Sequence, residues 1–241
     1  MNRSILAVLA LAGLAACSDP EVNEKISSLE ERVKKLEDSP RGPARPGQAD
    51  PAAEQAAANL LKEATAAAEA MNVDQAKAKL AELGEKYGTT RAARAAQRLQ
   101  TELEVVGKAE ADLDVESWFQ GSAADVEGGK ATLYVFWEVW CPHCKREVPK
   151  LAATYDKYRG KGLSMVGLTK MTRNITEDEV NSFIKDQKVT YPIAKEKGDS
   201  LSRHYGVRGI PAAAMVKDGK VVWRGHPARL TDEMIDKYLG A

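Results

Sequence analysis

The apolar run ATLYVFW (131–137) leads through Glu138, Val139 and Trp140 into CPHC and then into CKREVPKLAATYDKY, a stretch of helical period. A strand-length segment rich in β-branched and aromatic residues, followed within a few residues by a helix, places Cys141 and Cys144 at a strand-to-helix junction. LSMVGLT (163–169) has the same strand texture, so the unit reads β-α-β. Further on, TEDEVNSFIKDQ opens with a capping box of Thr176 and Glu179 and predicts a second helix. AAAMVKDGKVVWR predicts a hairpin turning at Asp218 and Gly219. Thr231 caps a last helix, with Leu230 stapled onto Ile235. Residues 108–241 therefore form one α/β domain.

Cys141 and Cys144 can hold a metal, staple the fold or carry redox chemistry. A disulfide across two intervening residues closes too short a loop to constrain the unfolded chain much. Structural zinc takes four ligands, and beyond His143 the other histidines, His204 and His226, are remote, so no metal site is expected. Redox chemistry remains, and the N-terminus bears on it. MNRSILAVLALAGLAAC places one Arg ahead of a twelve-residue apolar run from Ile5 to Ala16, then Cys17. Such a run spans about 18 Å as a helix, short of a hydrocarbon core of about 30 Å. It reads as an export signal over residues 1–16. LAAC resembles the lipobox of bacterial lipoproteins, which implies acylation of Cys17; the alternative is an ordinary signal cut nearby with Cys17 incidental. With Cys17 committed to lipid, Cys141 and Cys144 are the cysteines left to the exported chain.

Between the signal and the α/β domain the texture changes three times. Over residues 17–38, Val22, Ile26, Leu29, Val33 and Leu36 repeat at spacings of 4 and 3 with charged flanks. That seam either pairs helices from separate chains as a short coiled coil or marks a solvated helical spacer. In residues 39–50, Pro40, Pro43 and Pro46 favour an extended, stiff linker. From Pro51, with Asp50 as N-cap, the chain is Ala-rich and helical to residue 107. Breaks at Asn72 and at YGTT (87–90) divide it into three helices whose small residues resemble tetratricopeptide-like hairpins, a small all-α domain without Cys or His. Thirty-five basic residues balance thirty-five acidic ones, which leaves no electrostatic case for a nucleic-acid partner.

WCPHCKREVP is similar to the thioredoxin-fold active site, a W-C-x-x-C followed by a proline five residues after the second cysteine, here Pro149. YGVRGIPAAAMVKDGKVV (205–222) resembles the family's segment around its cis-proline, here Pro211 after Ile210. The two blocks, in the family's order, imply a thioredoxin fold, a mixed central sheet flanked by helices. Export, lipidation and Pro142-His143 narrow the likeness to periplasmic TlpA-like and DsbA-like thiol-disulfide oxidoreductases. At a helix start, Cys141 meets unpaired N–H groups and the positive end of the helix dipole, both of which stabilise a thiolate. Cys141 is therefore the expected nucleophile, and Cys144, one turn further, the resolving thiol. His143 is expected to add a ring N–H or a positive charge beside Cys141. Trp140, Pro142, Ile210 and Pro211 complete the site that the resemblance implies, the backbone of Ile210 receiving a client strand.

The chain departs from thioredoxin at the family's buried Asp, which aligns with Val135, and at its partner Lys, which falls near Gly167. Glu138 stands where a small residue is usual. It either replaces the lost base for Cys144 or is a solvated loop carboxylate. His226 is expected to be a surface or capping residue and His204 a structural one.

The function expected is disulfide exchange with exported proteins from a lipid anchor on the periplasmic face of a bacterial membrane, in reductase or oxidase direction. It needs no cofactor and calls for a membrane redox partner. The alternatives are a Cu(I) chaperone using the same thiols, or a scaffold with an accessory thioredoxin-like domain.

Overall fold

Period-two alternation decides the sheet. In the computed structural model, which describes residues 20–37 and 50–240, Leu133 and Val135 point to one face of strand β2 (Ala131–Phe136) and Tyr134 and Phe136 to the other. β2 pairs in parallel with β3 (Leu163–Thr169) and antiparallel with β5 (Ala212–Lys217). Every residue of β3 is buried, as a strand covered on both faces requires. β5 turns at Asp218 and Gly219, both with positive φ, into β6 (Lys220–Gly225). That is the conformation an Asp-Gly hairpin turn favours. On the far side, β4 (Ile193–Glu196) runs parallel to β3, and β1 (Val115–Gln120) pairs antiparallel with β4. The order is β1-β4-β3-β2-β5-β6.

Helices cover both faces. Three on one side, α5 (Pro142–Tyr158), α6 (Glu177–Asp186) and α8 (Asp232–Leu239), pack Val148, Val180 and Ile235 onto Leu133 and Val135. The capping box at Thr176 and Glu179 starts α6, and Thr231 caps α8 through the Met234 N–H at 3.3 Å. Short α7 (Ser200–His204) closes the opposite face with Leu201, followed by Tyr205, which stacks on Tyr134 with ring centroids 5.0 Å apart.

The Ala-rich segment folds as α2 (Pro51–Glu69), α3 (Val73–Tyr87) and α4 (Arg91–Val105), capped in turn by Asp50, Asn72 and Thr90. Ala57, Ala64, Ala76 and Ala96 allow close approach around Leu80, Leu83 and Leu99. The described residues from Asp50 to Gly240 lie in one compact unit. α4 is tied to the α/β part by an ion pair between Glu102 and Arg229. A Cβ on Gly206 would meet Val105 Cγ2 at 2.9 Å, and the positive φ of this residue suits glycine. Beyond α4 the chain runs beside β6, where the Gly107 N–H donates to Val221 O at 2.8 Å and the Val221 N–H to Lys108 O at 2.9 Å. This covers an edge that would otherwise expose unpaired backbone groups.

The separate helix α1 (Pro20–Glu37) carries Ile26, Leu29 and Val33 about half exposed, at 48–54%. Among the described residues no helix is long and apolar enough to cross a membrane. The signal peptide, Cys17 and the Pro-rich linker from 39 to 49 lie outside the described residues.

Candidate active site

Cys141 is the N-cap of α5, and Pro142 occupies the first helical position, where a missing N–H costs nothing. The Cys141 sulfur accepts the Cys144 N–H at 3.4 Å, which directs one of the free amides of the first turn at it. The Cys141 N–H is held by Glu138 O at 3.1 Å. Across the site the Ile210–Pro211 bond is cis, and the Ile210 carbonyl lies 3.9 Å from the Cys141 sulfur. Both thiols are free; Cys141 is buried and Cys144 fully so. Burial pushes the Cys144 thiol well above its ordinary value, and its hydrogen bond with Cys141 pushes the same way. Cys144 is thus a protonated thiol at neutral pH, beneath a sulfur that faces the helix amides.

Val135 and Gly167, where the resemblance places an Asp and a Lys, are direct partners in the β2–β3 register. A side chain at Gly167 would force its neighbours to shift: a Cβ there would meet Ile193 Cδ1 at 2.5 Å and Trp137 Nε1 at 3.0 Å. Packing has closed the space that a charged pair would need. The carboxylate near the pair is Glu138 instead, and it is buried, 4% exposed, so the solvated-loop alternative does not hold. It accepts the Thr169 hydroxyl at 3.2 Å, the Thr172 N–H at 3.2 Å and the Thr172 hydroxyl at 3.1 Å. Thr172 Oγ1 in turn accepts the Trp140 indole N–H at 2.9 Å, and the Arg173 guanidinium lies 3.5 Å from the centre of the Trp140 ring. Met171, Arg173 and Asn174 have positive φ without being glycine, a conformation that surrounding contacts must hold. Glu138 supplies those contacts. Nothing in TKMTRN announces this loop as part of the site, because its link to Glu138 spans 34 residues.

His143 is exposed, and an Arg146 guanidinium nitrogen lies 2.6 Å from its Nδ1. His226 is half-buried and caps a short turn through the Ala228 N–H at 3.2 Å; burial holds its pKa below the usual value. His204 is remote, bonded to Ala109 O at 2.8 Å. Among the described residues no group of three or more His, Cys, Asp or Glu is placed to hold a metal.

A mixed sheet flanked by helices, with a dithiol at the N-terminus of α5 facing a cis-proline, defines a thioredoxin-like domain. Residues 108–224 match the AhpC/TSA family. The chain is 32% identical over 112 residues to the thiol-disulfide oxidoreductase ResA of Bacillus thuringiensis, covering 46% of this chain and 62% of that one. It is 26% identical over 110 residues to the sporulation thiol-disulfide oxidoreductase A of Bacillus subtilis, covering 46% of this chain and 67% of that one. The chain thus spans about three-fifths of the length of the ResA relatives it matches. Among solved structures it is similar to a thioredoxin-like protein in the oxidised form (TM-score 0.49, 20% identity, 56% of this chain and 96% of that one).

Proposed function

We propose that this chain is a thiol-disulfide oxidoreductase exchanging disulfides with exported proteins, held by lipid at Cys17 on the periplasmic face of a bacterial membrane. The observation that carries the reading is the buried dithiol itself: a sulfur at a helix N-terminus, a protonated thiol beneath it and the cis Ile210–Pro211 segment alongside. The relatives named thiol-disulfide oxidoreductase support it. In the reductive direction the Cys141 thiolate attacks one sulfur of a client disulfide and releases a client thiolate, leaving a mixed disulfide. Cys144 then gives up its proton and attacks Cys141, forming the Cys141–Cys144 disulfide; the second client sulfur leaves as a thiolate and takes the proton. Two electrons pass to the client. The oxidative direction is the reverse. A Cu(I) carrier has less support, since among the described residues no third His, Cys, Asp or Glu is grouped with the dithiol to hold a metal.

The test is an equilibrium titration of the full chain against glutathione. The expected result is one two-electron transition in which both thiols disappear together. A potential near about −120 mV sets net donation of disulfides, and one near about −270 mV sets reduction. Formation of glutathione adducts without an internal disulfide would remove the proposal. Palmitate labelling that survives in Cys17→Ser would remove the lipid anchor from it.

α1 presents an apolar stripe to solvent, with Ile26, Leu29 and Val33 exposed on one helix, and this supports pairing with a second copy through residues 22–36. A Cys17→Ser form is expected to sediment as an oligomer and a form starting at Asp50 as a monomer. Equal masses would leave α1 as a spacer.

A further inference from the structure

The active-site face continues into a cavity of about 630 Å³ whose opposite wall is α4. His143, Ile210 and Pro211 line it on the thioredoxin-like side, and the Ile210 carbonyl is 3.9 Å from the Cys141 sulfur, so the cavity adjoins the dithiol. Its charge departs from that of the chain. The whole sequence balances 35 basic against 35 acidic residues, yet the cavity lining holds Arg94, Arg98, Arg208 and Arg224 against the single carboxylate of Glu102. Glu102 is buried and already shared, accepting from Arg98 at 3.1 Å and paired with Arg229. Among the described residues the Arg94 guanidinium donates to the Thr89 carbonyl, at 3.3 Å, and to no carboxylate. Arg208, on the loop before the cis-proline, is exposed and has no ion pair or hydrogen bond among the described residues.

Arg224 adds a fixed charge from within. It is 93% buried and donates to Tyr205 O at 2.7 Å, Gly225 O at 3.1 Å and Gly206 O at 3.3 Å, and among the described residues to no carboxylate. Desolvation pulls its pKa down to about 10, which leaves it charged at neutral pH. A guanidinium whose donors are spent on carbonyls keeps its positive field, and a concave, low-dielectric wall focuses that field outward.

Resting on the exchange activity proposed above, we infer that this cavity is a docking groove for an acidic segment of the client polypeptide, one flanking the disulfide that reaches Cys141. The cations come from three elements, α4, the loop before Pro211 and β6. Arg94 and Arg98 stand one turn apart on α4, and Arg208 and Arg224 come from two further elements, so the lining offers several guanidiniums, which suits a segment carrying several carboxylates. Guanidiniums also accept carboxylates in a planar, two-toothed geometry. The helical segment is then the half of the client site that gives sequence preference, and the cysteine loop the half that does chemistry.

The experiment uses the reduced full chain and three peptides that differ only beside one mixed disulfide to a chromophoric thiol, flanked by Asp and Glu, by Gln, or by Lys. The expected kcat/KM is on the order of tenfold higher for the acidic than for the Gln peptide and lower again for the Lys peptide, with the ratio shrinking at 1 M salt where the Debye length is about 3 Å. In the double variant R94Q/R208Q the acidic-to-Gln ratio should fall by about three- to tenfold. Equal rates for the three peptides, or a preference that survives the double variant, would overturn the groove. So would an equal gain for glutathione disulfide, which would make it a small-anion site. If no peptide is reduced, the exchange activity fails and not the groove, which is then read by fluorescence anisotropy of the acidic and Lys peptides on the Cys141→Ser/Cys144→Ser form: stronger binding of the acidic one, lost in R94Q/R208Q, upholds it, and equal binding refutes it.

Discussion

Cys141→Ser is expected to abolish disulfide exchange, while Cys144→Ser keeps the first step and stops at a mixed disulfide with the client. The asymmetry follows from where the helix places the two sulfurs. Cys141 caps α5 and receives the Cys144 amide, whereas Cys144 is inside, fully buried, with its thiol pushed up by burial and by its contact with Cys141. A raised thiol pKa means that Cys144 does not compete for the client at neutral pH and acts only once a disulfide has formed directly above it. Resolution is then intramolecular. Replacing it by attack of an external thiol at millimolar concentration forfeits an effective concentration many orders larger, so client release should slow by at least about 10²-fold. Mass spectrometry of acid-quenched reactions should show a client adduct on Cys141 in Cys144→Ser and none in Cys141→Ser. In the latter, Cys144 should also alkylate slowly at pH 7 and faster as the pH is raised, because the neutral thiol is the favoured form in the buried site. Release from Cys144→Ser at the wild-type rate would exchange or remove the assigned roles.

Much of this was legible because its signals are local. β2, α5 and β3 announce themselves by period, and the capping box at Thr176 and the Asp218-Gly219 turn sit where their residue types place them. β1 and β4 carried no such signal. β4 is only four residues, and β1 pairs with it through two register irregularities, so alternation is broken where it would have been read. Arg94 and Arg98 fit an ordinary solvated helix face in sequence, and long-range contacts, among them the tie between Glu102 and Arg229, 127 residues apart, set that face beside His143 and Pro211. The cis bond before Pro211 was readable from the resemblance, while the Arg146 partner of His143, three residues away on α5, is a helix-face contact that spacing alone permits and does not demand.

Glu138 is where sequence left two readings and burial removed one. Its carboxylate does not touch Cys144; its partners are Thr169 and Thr172, and through Thr172 it fixes Trp140 and the positive-φ loop that carries Arg173. Glu138→Ala would leave one buried amide and two hydroxyls without an acceptor, a loss of about 2–4 kcal/mol in urea unfolding. Glu138→Gln should cost less, since one oxygen remains, and it isolates the charge. The negative charge of Glu138 adds to the burial that raises the Cys144 pKa. Removing that charge while keeping the shape must therefore lower the Cys144 pKa, because a thiolate is no longer repelled by a neighbouring anion. If the carboxylate acts by holding the loop, mixed-disulfide release in Glu138→Gln at pH 7 should be as fast as in the parent or faster, since more of Cys144 is thiolate. If it acts as the base for Cys144, release should slow by about 10²-fold or more and lose its dependence on pH near the carboxylate range. The hydrogen bonds favour the first outcome: all four contacts of the Glu138 carboxylate go to Thr169, at the end of β3, and Thr172, none to sulfur.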